Sequence, residues 1–149
     1  MKVKLDKQQI IEEATFNKTF YYVFGEIHSN MKDVKDIQKQ VRKLKPDLII
    51  AEIDWEEKII YPEFKVIALE PSNDGKRKLP KDIKKSFKIR EKEMVQVLKK
   101  YKNSGLKIAV IVGDTHIRES KEFFGDHPLQ DFFKTVPSKI RRSIDPEIK

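Results

Sequence analysis

The chain has no cysteine among its 149 residues. Disulfides and thiolate metal sites are therefore excluded. No apolar run approaches the roughly 18 residues of a membrane span. The N-terminus also lacks the apolar core of a secretory signal. These absences set the expectation of a cytoplasmic protein with no membrane partner. Neither a P-loop nor a dinucleotide-binding glycine fingerprint is present, which ranks nucleotide or phosphoryl hydrolysis last among the enzymatic readings. No recognised nucleic-acid motif occurs either.

Charge is abundant. Lys and Arg number 32 against 24 Asp and Glu, for a formal net charge of +8. Much of the basic excess lies in 76–102 and 134–149. A basic surface attracts nucleic acid or acidic substrates. A lysine-rich solvated surface such as thermophilic proteins carry is the plainer reading. A binding module with nucleic acid as partner is the alternative to an enzyme. A mass of 17.6 kDa is most simply one domain, 1–149.

The chain is organised around the stretch Phe20–Asn30. An apolar run stops at Gly25, and Glu26 and His28 follow. The arrangement recurs near the other end, where Ile108–Val112 stops at Gly113 and Asp114 and His116 follow. Apolar runs of this length suit strands covered on both faces, as in parallel sheets. Strands are predicted at 19–24, 48–51, 64–69 and 107–112, with a polar connector over 54–63. Helices are predicted within 6–15, after a cap at Ser29, Asn30 or Asp33, over 82–103 with Gly105 as the stop, over 117–124 and over 129–134. This order predicts an α/β fold, with a mainly parallel central sheet of about four strands and helices on both faces. The link between the second and third strands is short for a parallel crossover, so either strand three pairs elsewhere or 54–63 holds a turn of helix.

All four strands end in acids: Glu26, Glu52, Glu70 and Asp114, with a histidine beyond two of them. Ligands bind outside the carboxyl ends of parallel strands, so these groups are expected on one edge. Two imidazoles and several carboxylates can hold a divalent metal with positions left for water. His28, His116, Glu52 and Glu70 are the candidate ligands. The same set can do metal-free acid–base work, with a histidine as base and a glutamate orienting it. Gly25 and Gly113 allow a sharp turn and close approach to the backbone. Arg90 falls on the apolar stripe of its helix with Phe87 and Met94, where it needs a partner. Glu52 or Glu70 would serve. His127, in Gly-Asp-His-Pro, reads as an exposed loop residue, and Lys76-Arg77-Lys78 as solvated charge.

These residues resemble the TraB/TIKI/ChaN/erythromycin-esterase superfamily over about 20–118. The resemblance rests on the paired Gly-x-x-His motifs at Gly25–His28 and Gly113–His116, on Pro46-Asp47-Leu48-Ile49-Ile50-Ala51-Glu52, and on Arg90 followed by Met94. It implies that His28, Glu52, Arg90 and His116 line an active site, with Glu26 beside them. It implies a hydrolase of esterase or peptidase type for a small-molecule or peptide substrate, with manganese, cobalt or zinc as the candidate cofactor. Relatives carry a long insertion where this chain has about ten residues, so the pocket is expected to be open or completed by a second copy.

Overall fold

The computed structural model describes residues 18–27, 29–73, 77–117 and 127–142. Within them the chain forms β1 (Phe20–Glu26), α1 (Met31–Leu44), β2 (Leu48–Ala51), α2 (Asp54–Ile60), β3 (Val66–Ala68), α3 (Ile83–Lys99), β4 (Lys107–Gly113), α4 (Pro128–Phe133) and β5 (Ser138–Arg141). A short 3-10 turn, Asp114–His116, follows β4. The strands make one sheet in the order β3-β2-β4-β1-β5. Every pairing is parallel.

The central strands are apolar on both sides because both sides are covered. Ile49, Ala51, Ala109 and Ile111 face Ile37 and Val41 of α1 and Tyr61 at the end of α2. Their neighbours Leu48, Ile50, Ile108 and Val110 belong to the opposite cluster, with Met94 and Leu98 of α3 and Leu129, Phe132 and Phe133 of α4. That alternation is the two-residue period of a strand. Helices thus lie on both faces of a parallel sheet, as the apolar runs predict.

Local chemistry sets the helix ends. The Asn30 side chain accepts from Asp33 N at 3.1 Å and caps α1. The Asp82 side chain accepts from Lys85 N at 3.0 Å and caps α3. Gly105 turns the chain after α3 with φ 74°, a left-handed conformation that favours glycine.

The connections decide where a site can form. β1 and β2 lead into helices on one face, and β3 leads into α3 on the other. β4 is followed by α4, also on that other face. β4 therefore lies between two strands whose chains leave the sheet the opposite way. Such divergence opens a crevice at the carboxyl edge.

Two expectations change, and one open choice is decided. The sheet has a fifth strand, β5, drawn from the basic C-terminal region. The third strand shortens to Val66–Ala68. The 54–63 connector contains α2, which supplies the crossover that makes β2 and β3 parallel neighbours. The helix expected within 6–15, and the one over 117–124 beyond Ile117, lie outside the described residues.

Candidate active site at the carboxyl edge of the sheet

Glu52 is the first residue beyond β2. Its backbone N–H still reaches Ile111 O at 2.9 Å, so the sheet fixes where its side chain starts. Oε1 accepts from Gly113 N at 3.1 Å. Oε2 lies 3.3 Å from His116 Nε2 and 3.6 Å from Arg90 Nη2. Burial pulls its pKa up, but His116, the Gly113 N–H and Arg90 outweigh burial and hold it below the ordinary value. Glu52 is an anchored carboxylate whose side chain keeps 14% of its exposure.

His116 is buried on the 3-10 turn. Its Nδ1 lies 3.0 Å from Glu91 Oε2. Phe87 stacks on its ring at 4.4 Å with a 6° tilt. Burial disfavours the imidazolium, yet the two flanking carboxylates push the pKa up to about 9. At neutral pH the ring is therefore a cation that donates from both nitrogens. The expectation named one orienting glutamate beside a histidine; His116 has two carboxylates beside it.

Glu91 was not singled out from sequence. Phe87, Glu91, Met94 and Leu98 make the inner stripe of α3, and Glu91 is fully buried. A carboxylate at the centre of an apolar stripe was the available signal. Its Oε1 accepts from Leu129 N at 3.0 Å. His127 Nδ1 lies 3.6 Å from its Oε2. His127 is buried rather than exposed, because Leu129, Phe132 and Phe133 draw the start of α4 into the core.

Arg90 lies at the edge of that stripe and holds Glu70 with two bonds, Nε to Oε2 at 3.1 Å and Nη2 to Oε1 at 2.7 Å. Arg77 adds a third, Nη2 to Oε2 at 2.7 Å. Arg77 also pairs with Glu93 at 2.5 Å, so it is a structural partner and not solvated charge. Glu93 in turn accepts from Ser72 N at 2.8 Å. The Glu70 side chain has no exposure left. The cluster ties β3, the loop after it and α3 together. It leaves Glu70 committed to the two arginines.

Glu26 ends β1 and is buried. Glu57, in the first turn of α2, is also buried. Together with Glu52, Ile53 and Gly113 they line a cavity of about 10 Å³. Gly25 and Gly113 matter here through close approach. A Cβ at Gly25 would collide with Ile117 and lie 2.6 Å from Asp114 Oδ1; one at Gly113 would lie 3.3 Å from Glu52 Oε1. Gly113, at φ −58°, needs no glycine for its backbone.

His28, the second expected imidazole, lies outside the described residues. Of the other candidate metal ligands, His116 offers no nitrogen free of a carboxylate, and Glu70 is closed by arginines. Among the described residues no three His, Cys, Asp or Glu side chains are placed to hold a metal ion. The described set does not fit a metal as it stands. No helix among them is long and apolar enough to cross a membrane. Neither a family model nor a curated protein matches the chain.

Proposed function

We propose that the chain is a small hydrolase of the TraB/TIKI/ChaN/erythromycin-esterase type, acting on an ester or peptide at the carboxyl edge. One observation carries this reading. Glu52 is held ionised by Gly113 N–H, His116 and Arg90, and it still borders a cavity. A carboxylate at the wall of a water-sized cavity can take a proton from a water held there; its lowered pKa makes it a weak base, so position has to supply the advantage. His116 orients Glu52 through Nε2 and is itself held by Glu91. Arg90 steadies Glu52 from its platform on Glu70. On the resemblance, His28 supplies the second imidazole. The reaction as proposed routes no step through a metal.

The test is Glu52→Gln, which keeps the shape and the contact with His116. Turnover of small esters or peptides is expected to fall about 10²–10⁴-fold, with an unchanged circular dichroism spectrum. Equal turnover in the variant would place the base elsewhere. His116→Ala is the poorer probe, because it strands the buried Glu91 carboxylate and costs fold as well as activity.

A further inference from the structure

An open groove of about 540 Å³ runs between α1 and the β1–β5 margin of the sheet. That is ample for a ligand. Its floor is aromatic: Tyr22 and Phe24 of β1 face the side that α1 covers with Ile37 and Val41. β5 runs beside them in parallel register, with Tyr22 opposite Lys139 and Phe24 opposite Arg141. Paired residues of neighbouring strands share a face. An aromatic column and a basic column therefore lie side by side. Tyr22 is half-buried, and Phe20 rests against its ring with centroids 4.6 Å apart.

Gln40 and Lys43 of α1 form the facing wall. Arg141 is committed to structure, with Nη2 2.7 Å from Asp33 Oδ1 and 2.8 Å from Asp36 Oδ2. Asp36 also accepts from Gln40 Nε2 at 2.7 Å. These bonds tie β5 to α1 and set the width of the groove. Lys43 and Lys139 are exposed. Among the described residues no carboxylate pairs with either. Lys43 stands near the amino edge of the sheet, since its neighbour Leu44 accepts from Lys107 Nζ at the start of β4. The groove thus reaches away from Glu52.

We propose that this groove binds single-stranded nucleic acid, with one base stacked on Tyr22 and the phosphates beside it held by Lys43 and Lys139. Such binding needs nothing of the carboxyl-edge chemistry. An aromatic floor offers a face on which any base can stack, and flanking cations follow the backbone. A duplex keeps its bases stacked inside and cannot use the floor. An acidic peptide satisfies the lysines and has no need of the ring. The net charge of +8 draws a strand to the surface, and the groove gives it a place to be held.

The test is fluorescence anisotropy of a labelled oligodeoxythymidine of about twelve nucleotides, titrated with the full chain at about 50 to 200 mM salt. Tyr22→Leu should weaken binding about tenfold and leave the salt dependence unchanged, while Tyr22→Phe, which keeps the ring, should bind as wild type does. Lys43→Gln combined with Lys139→Gln should weaken binding and flatten the slope of log K against log salt by about 1.4, two phosphates at about 0.7 each. A duplex of the same length should compete about tenfold less well than the single strand. Full affinity in Tyr22→Leu, with loss only in the lysine variant, would mean attraction to charged surface and overturns the groove. So does a duplex that competes equally. No anisotropy change at the lowest salt overturns nucleic-acid binding altogether. A dimer in light scattering that Tyr22→Leu dissociates would seat a second copy in the groove and overturns the proposal as well. Should Tyr22→Leu fail to fold, the exposed lysines and the duplex comparison decide.

Discussion

At the residue scale the two glycines of the paired motif have different duties. Gly25 has no room beside it, since a methyl group would press on buried Ile117 and on Asp114. Gly113 has room for a methyl group only if the Glu52 carboxylate yields by a few tenths of an ångström. The substitutions should therefore separate stability from activity. Gly25→Ala is expected to cost about 1–3 kcal/mol, the usual penalty for overpacking. Gly113→Ala should cost less than about 1 kcal/mol yet reduce turnover tenfold or more, because it displaces the proposed base. Denaturant midpoints and ester kinetics on both variants check this. Equal losses of stability would refute the division.

At the element scale α3 delivers Phe87, Arg90 and Glu91 to the site, so whatever fixes its position on the sheet fixes the site. Its C-terminal end is tied to β1 by buried side chains. Tyr21 donates to Leu98 O at 2.7 Å. The Thr19 hydroxyl donates to Tyr101 O and accepts from Ser104 N at 3.0 Å and Gly105 N at 3.1 Å. Thr19→Val keeps the shape and removes that hub. It should cost about 1–3 kcal/mol, the penalty for buried polar groups left without partners, with an unchanged denaturant slope. An unshifted unfolding midpoint would mean that water replaces the hydroxyl. The same scale explains what could be read in advance. β1, β2 and β4 were legible because strands covered on both faces are apolar throughout. β5 was not, because an edge strand with one neighbour can be written Ser138-Lys139-Ile140-Arg141. α2 was obscured by an inverted pattern, with Trp55 and Ile59 at 68% and 77% exposure while Glu57 is buried. Glu52 and Arg90 stood out by position. Glu57 and Glu91 did not, since their meaning lies in which elements pack over them.

At the scale of the whole molecule the carboxyl edge makes folding depend on pH in a definite direction. His116 is raised from 6.5 to about 9 in the fold. Its contribution is fully present below its unfolded pKa and is lost as pH rises through about 9. Glu57 is raised from 4.5 to about 8. Its neutral form suits the fold, so its contribution is likewise present at low pH and lost as pH climbs through about 8. Glu52 is lowered and acts the other way, its share present above 4.5 and lost as pH falls. The two raised groups act over overlapping windows, Glu57 from 4.5 to about 8 and His116 from 6.5 to about 9, so stability should decline as pH rises through them. Glutamine at position 57 carries no charge to bury. Thermal melts of wild type and Glu57→Gln should nearly coincide at pH 4, diverge between about pH 4.5 and 8 and separate no further above that, with the variant the more stable. Parallel curves across that range would show that Glu57 ionises without penalty. Its burial against Glu26 would then be no barrier to charge, and the carboxyl edge would hold its acids by some other means.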